Sequence, residues 1–222
     1  QTCALPIYQV RFEPLRAYQD IPMVFGWAIP DLPAYVAATS MAHSHCMWKA
    51  ETNHHLREFS HRILIVRDPR DVAVSWSRWI FTPFNRLHRP TLCPTPDALL
   101  EEDLPRRLME WNVHQESWLI HRATDLSLHV VFYEQLVDDT PRELGRIAQH
   151  VGLDVSAEGL RRVAEKHALK EMKKYQPHHV FRGGWGGWLE CLNDRQVHTA
   201  QRITGQMMKA LGYPLNRTDA AG

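Results

Sequence analysis

The residues best suited to chemistry gather in one short segment. The apolar run ILIV, residues 63–66, leads straight into Arg67-Asp68-Pro69-Arg70-Asp71. In open α/β sheets, ligands sit beyond the carboxyl ends of strands, and Arg67 falls at such an end. The helix that begins after Asp68 offers free backbone N–H groups and a positive dipole end. Ser75 lies seven residues past Asp68, about two helical turns, so it falls near the same helix face. A guanidinium and a hydroxyl beside a helix start make a phosphate cradle. The same two residues also fit an ordinary surface corner. Asp68 is better suited to capping the helix than to touching an anion.

Two further segments carry candidate groups. RGGWGGW, residues 182–188, places four glycines behind Arg182, and glycine lets backbone N–H groups approach a ligand closely. The pattern fits a second clamp on a phosphate, and equally a glycine-rich turn with Trp185 and Trp188 as packing anchors. Tyr133 closes a second apolar run and fits either stacking on a base or a place at the core rim. The 14 histidines make clusters such as His43, His45 and Cys46, or His178 and His179, expected by chance, so no metal site is assigned. A GxSxG elbow and a GxGxxG dinucleotide fingerprint are both missing from the sequence.

The elements that must position these residues follow from pattern. Residues 61–67 read as a strand, and the apolar run without alternation predicts burial on both faces. Residues 45–50 read as a further strand. The next helix has Asp68 as cap, Pro69 at its first position and Asp71 three after the cap; Val72, Trp76 and Trp79 recur along it. Prolines at 83, 90, 94 and 96 mark residues 81–97 as a surface excursion. Helices are expected over 32–38, 100–121, from Thr140 with a capping box through Glu143 to Gly152, over most of 157–173, and over 194–211. Residues 128–133 read as a second buried strand. Strand–helix alternation argues for an α/β layered fold with a largely parallel sheet.

The 222-residue chain suits one domain. A net charge of +1 and 23% charged residues give no case for nucleic acid as a partner. No apolar stretch reaches the roughly 20 residues that span a bilayer. The four cysteines are scattered without a CxxC pair, which favours free thiols and a cytoplasmic setting. Residues 1–7, QTCALPI, are expected to be a non-native leader, since the sequencing-adapter nucleotides CAGACGTGTGCTCTTCCGATC translate to them; residues 8–222 are then a partial domain.

Taken in order, the motifs resemble the cytosolic-type sulfotransferases, which use 3'-phosphoadenosine 5'-phosphosulfate (PAPS). VRDPRDVAVSW is similar to the family's 3'-phosphate-binding strand and helix, which implies that Arg67 and Ser75 bind that phosphate. VVFYEQLVDDTPRELGRIAQHVGL is similar to the segment that places a tyrosine, here Tyr133, at the adenine. RGGWGGW resembles the family's arginine-lysine-glycine loop: Arg182 and Gly184 match, Gly183 stands where lysine is usual and Gly187 where aspartate is usual. In ALKEM, residues 168–172, Met172 matches and Leu169 replaces the aromatic that packs on adenine. WNVHQESW, residues 111–118, resembles the helix before the tyrosine strand.

The resemblance implies a three-layer fold like that of the P-loop NTPases, with a mostly parallel central sheet. It also implies sulfonate transfer from PAPS to a hydroxyl or amine of a small-molecule acceptor. Nothing in residues 1–40 matches the family's lysine-containing phosphosulfate loop. The chain is therefore expected to lack that loop and to be a poor catalyst as it stands. Lys49 matches the family's strand lysine and would bridge toward the sulfonate. Glu51 stands where the family's histidine acts as base; His54 and His55 are the alternatives. A small-molecule kinase of related fold and an inactive nucleotide-binding fragment are the competing readings.

Overall fold

The computed structural model describes residues 45, 47–49, 56–88, 90–122, 124–175 and 183–220. The expected helix over 32–38 and the candidates Glu51, His54, His55 and Arg182 lie outside the described residues. The chain divides into two units: Gln1–Arg62 with Ser117–Leu128, and Ile63–Glu116 with His129–Gly222.

In the first unit the described residues gather around Arg62. Its Nη2 donates to both carboxylate oxygens of Asp125 at 2.9 Å, and its Nη1 donates to the Leu56 and Phe59 carbonyls at 2.9 Å each. Trp48 packs edge-on against Trp118, with ring centroids 5.1 Å apart. Its backbone N–H donates to the Ser117 hydroxyl at 3.1 Å. His45 and residues 47–49 adopt no regular structure, so the strand expected over 45–50 is not formed at those positions.

The second unit is built from two paired parallel strands and helices. Strand β1 (Arg62–Val66) pairs with β2 (Leu128–Phe132). Between them run α1 (Pro69–Ile80), α2 (Pro83–His88) and α3 (Pro96–Leu119); after β2 come α4 (Tyr133–Asp138), α5 (Thr140–His150), α6 (Ala157–Lys166), α7 (Leu169–Tyr175), α8 (Trp188–Cys191) and α9 (Asp194–Ala210). The core joins Ala73 and Val74 of α1 to Leu100, Leu104 and Leu108 of α3, to Trp188 and Leu192, and to Val197 and Ala200 of α9. Leu100, Leu104 and Leu108 recur every fourth residue, which aligns them on one helix face.

Several expectations change against this frame. Leu64 and Val66 are buried whereas Ile63 and Ile65 are exposed, so β1 alternates despite its unbroken apolar sequence. The buried residues of α1 are Pro69, Arg70, Asp71, Ala73, Val74, Ser77 and Ile80 rather than Val72, Trp76 and Trp79. The proline-rich excursion contains α2 and the start of α3: Pro83 and Pro96 open helices, where the missing N–H is harmless, instead of breaking them. Helix α5 is capped by Asp139, which accepts the Arg142 N–H, while Thr140 Oγ1 donates to the Leu136 carbonyl. It closes on Gly152 at φ +73°, with Leu153 N–H donating to the Ala148 carbonyl at 2.8 Å, the left-handed ending that glycine favours. Asn193 and Gln196 form a reciprocal capping box at α9. Among the described residues no helix is long and apolar enough to cross a membrane.

Candidate nucleotide phosphate site

The turn from β1 into α1 is fixed first by a buried ion pair. Asp68 caps α1 by accepting the Arg70 N–H at 2.9 Å. The Arg70 guanidinium then folds back on the same carboxylate, with Nε to Oδ1 at 2.9 Å and Nη2 to Oδ2 at 2.6 Å. Its Nη2 also donates to the Pro214 carbonyl at 2.7 Å, and its Cζ lies 3.4 Å from the Trp188 ring centroid. Arg70 is wholly buried, and its charge is neutralised in place. It is an internal fastener and not a ligand-binding arginine.

Arg67, one residue past β1, is differently placed. Its side chain is 24% exposed. Its guanidinium carbon sits 4.3 Å from the Tyr133 ring centroid, a cation–π distance. Nη2 donates to the Gly184 carbonyl at 3.2 Å. Among the described residues the nearest carboxylate oxygen, Asp71 Oδ2, is at 4.0 Å, beyond hydrogen-bond reach. Nε is buried and has no acceptor among the described residues. Arginine carries five N–H donors; among the described residues Arg67 meets one acceptor within hydrogen-bond reach, and its side chain is partly exposed.

Asp71 does not complete a capping box. It reaches across to the glycine loop, where Oδ2 accepts the Gly186 N–H at 2.6 Å and Oδ1 accepts the Trp188 N–H at 2.9 Å. Burial pushes its carboxyl above the usual carboxylate range, against the lowering effect of those two N–H groups. The loop itself needs glycine: φ is +70° at Gly183, +89° at Gly184 and +79° at Gly186. Trp185 is half exposed and its indole N–H donates to Asp138 Oδ1 at 2.8 Å. Asp71 and Arg67 thus tether the loop to the β1–α1 turn, one through two loop N–H groups and the other through a loop carbonyl.

The structure brings Arg67, Tyr133 and Gly184 into direct contact. Ser75 is exposed on α1. It lies four residues after Asp71, and so on the same helix face. Leu169 opens α7 and covers Gly183: a β-carbon built on Gly183 would collide with the Leu169 side chain. The two departures from the family pattern therefore occupy one space. Lys49 is exposed and belongs to the first unit.

Sequence reading missed Glu134 and Trp111. Trp111 Nε1 donates to the Arg67 carbonyl at 3.0 Å. Glu134 Oε1 accepts the Asp68 N–H at 2.9 Å, and Oε2 accepts the Tyr213 hydroxyl at 3.0 Å. Burial pushes the Glu134 carboxyl up, and it pushes the Tyr213 hydroxyl up as well. The one local signal was the position of Glu134 beside Tyr133; nothing in the pattern tied Trp111 to a turn 44 residues earlier.

A family model described as the sulfotransferase domain matches residues 33–212. The chain belongs to the sulfotransferase-domain family. It is 29% identical to bovine (Bos taurus) Sulfotransferase 1A1 over 117 residues, which cover 50% of this chain and 37% of that protein. Among solved structures it is similar to mouse sulfotransferase SULT7A1 complexed with PAP, with 23% identity, a TM-score of 0.59, and 70% of this chain against 60% of that one. It is also similar to a retinol dehydratase in complex with androsterone and the inactive cofactor PAP, with 20% identity, a TM-score of 0.62, and 79% of this chain against 56% of that one. The chain thus spans 37–60% of these sulfotransferase-family relatives. These structural likenesses establish the P-loop-like α/β fold.

Proposed function

We propose that this chain carries the nucleotide end of a sulfonate-transfer site. It binds PAPS through the phosphate on the ribose 3'-oxygen and serves transfer of the sulfonate to a hydroxyl or amine of a small-molecule acceptor. One observation carries the reading. Arg67 is held at the carboxyl end of β1 with its two Nη groups meeting one acceptor among the described residues, the Gly184 carbonyl at 3.2 Å, while the Asp71 carboxylate stands off at 4.0 Å. A dianionic phosphate fits that donor set. Arg67, Ser75, Gly183 and Gly184 would hold the 3'-phosphate, with Arg182 as a second guanidinium. Tyr133 and Leu169 would line the adenine. PAP, the product nucleotide, is named in the structures of the mouse sulfotransferase and of the retinol dehydratase, which supports the same ligand class here.

PAPS supplies the sulfonate when bound. The protein's part at this end is to fix the nucleotide by its 3'-phosphate and so place the sulfonate relative to the acceptor. Glu51 is the residue proposed to take the acceptor's proton, with His54 and His55 as alternatives, and Lys49 to contact the sulfonate. The free thiols Cys93 and Cys191 fit a cytoplasmic protein. Calorimetric titration with PAP tests the site. Arg67→Ala removes charge-assisted hydrogen bonds of roughly 1.5–3 kcal/mol, so affinity should fall about 10- to 100-fold. Equal affinity in wild type and variant would reject the pocket.

A further inference from the structure

The peptide unit that joins Arg67 to Asp68 is held at both of its polar ends. Its carbonyl accepts the Trp111 Nε1–H at 3.0 Å, and its N–H donates to Glu134 Oε1 at 2.9 Å. The two partners come from different elements, Trp111 from α3 and Glu134 from the first turn of α4. A peptide is a rigid plane. Fixing its oxygen and its nitrogen holds that plane, and with the preceding residue held in β1 it restrains the direction of the Arg67 Cα–Cβ bond. Trp111 is buried, and the second oxygen of Glu134 is occupied by the Tyr213 hydroxyl, so neither partner is loose.

Helix α1 does not depend on these two bonds for its start. Its cap comes from the Asp68 side chain to the Arg70 N–H, and its first backbone bond runs from the Val72 N–H to the Asp68 carbonyl at 3.0 Å. What the two extra bonds restrain is the residue before the helix. Arg67 is also the residue whose guanidinium lies on Tyr133, the immediate neighbour of Glu134. The first turn of α4 thus holds Arg67 twice, by the ring at its head and by the carboxylate at its backbone.

We propose that Trp111 and Glu134 are positioning residues that clamp the 67–68 peptide and thereby aim the Arg67 guanidinium at the 3'-phosphate. This rests on the nucleotide site proposed above. The clamp makes discrimination for a 3'-phosphorylated nucleotide depend on two buried groups that touch no ligand. Preorganisation of this kind spares the bound state the ordering of a long side chain.

The test compares PAP with adenosine 5'-phosphate, which lacks the 3'-phosphate, by calorimetric titration of the full chain. The ratio of the two affinities reads the 3'-phosphate contact alone. Trp111→Phe keeps the ring and deletes the N–H donor; Glu134→Leu deletes the acceptor; Glu134→Gln retains a carbonyl acceptor. The ratio should fall about tenfold in Trp111→Phe and in Glu134→Leu, the size of one buried hydrogen bond to the arm that carries a charged contact. Affinity for adenosine 5'-phosphate should hold, and Glu134→Gln should recover most of the ratio. A wild-type ratio in folded Trp111→Phe, alongside a collapsed ratio in Arg67→Ala, overturns the clamp and leaves the site standing. A wild-type ratio in Arg67→Ala overturns the site and the clamp with it. Should Glu134→Leu fail to fold, Trp111→Phe decides the matter by itself.

Discussion

Arg62 opens β1 and Arg67 follows its last residue, yet the two have opposite surroundings. Arg62 meets a carboxylate at 2.9 Å and two carbonyls at 2.9 Å, with the Ser127 hydroxyl as a further partner. Among the described residues Arg67 meets a single carbonyl at 3.2 Å, and the nearest carboxylate oxygen stands off at 4.0 Å, on a group that accepts two N–H groups of the glycine loop. Each Nε is without an acceptor among the described residues, so the contrast lies in the two Nη groups. An arginine surrounded by acceptors secures its own fold. One whose neighbouring carboxylate has been drawn off to the backbone is, under the proposed function, left to take an anion from outside. The arrangement around the side chain, and not the residue type, separates the two roles.

The contrast can be broken at three points. The largest effect belongs to Arg70, the extreme of the self-satisfied kind. Arg70→Ala strands the buried Asp68 carboxylate, and loss of one partner of a buried pair costs about 3–5 kcal/mol. Denaturant unfolding should show that loss, and a change under 1 kcal/mol would mean that Asp68 finds another partner. Arg62→Ala comes next. Its hydrogen bonds to a charged group suggest a loss of about 1.5–3 kcal/mol, with PAP affinity unchanged. Arg67→Ala should show the reverse, with stability near wild type and affinity lowered; if both variants lose stability alike, the distinction fails.

The smallest effect is in the pH dependence. Burial pushes the Asp125 carboxyl up, but hydrogen bonds from Ser127 and Arg62, with the Arg62 charge, hold it net below the usual range. Its stabilisation is present above the unfolded carboxylate pKa of about 3.9 and is lost as pH falls through the folded value. Asp71 and Glu134 are raised by burial. Their contribution is complete below the unfolded values of about 3.9 and 4.3 and disappears as pH rises through the folded ones. Acidification from neutrality should therefore first stabilise the protein through Asp71 and Glu134, and below about pH 4 destabilise it through Asp125. Asp125→Asn should flatten only the acid limb and Glu134→Gln only the rise, both followed by thermal unfolding across pH.

The β1–α1 turn was legible because its signals are local: an apolar run, a capping aspartate and a proline at the first helical position. Helix α9 was read over 194–211, close to its observed span, and β2 was found through its apolar run, while the Asn193–Gln196 capping box went unread. Helix α2 was hidden because Pro83 was taken for a breaker, although proline is equally at home at a helix start. The alternation of β1 could not be seen in ILIV, since which face a strand buries depends on neighbours far along the chain. Asp71 was read only as a start signal three residues after the cap; its partners, Gly186 and Trp188, lie 115 and 117 residues away. Arg67 itself could be picked out by position, while the groups that steady it could not. Ser75 and the glycine loop were picked out by spacing and residue type and then by likeness to the family, Leu169 by that likeness alone, and the contact between Leu169 and Gly183 became visible only in three dimensions.

That contact changes how the chain's divergence is counted. The glycine where lysine is usual and the leucine where an aromatic is usual look like two separate losses when written on a line. In space they are one event, because the leucine fills the room that any side chain at residue 183 would need. Lysine restored there by itself would displace Leu169 and sit on backbone at φ +70°, a strained setting for any residue with a β-carbon. The two positions are thus coupled through one volume: a side chain added at residue 183 requires Leu169 to move.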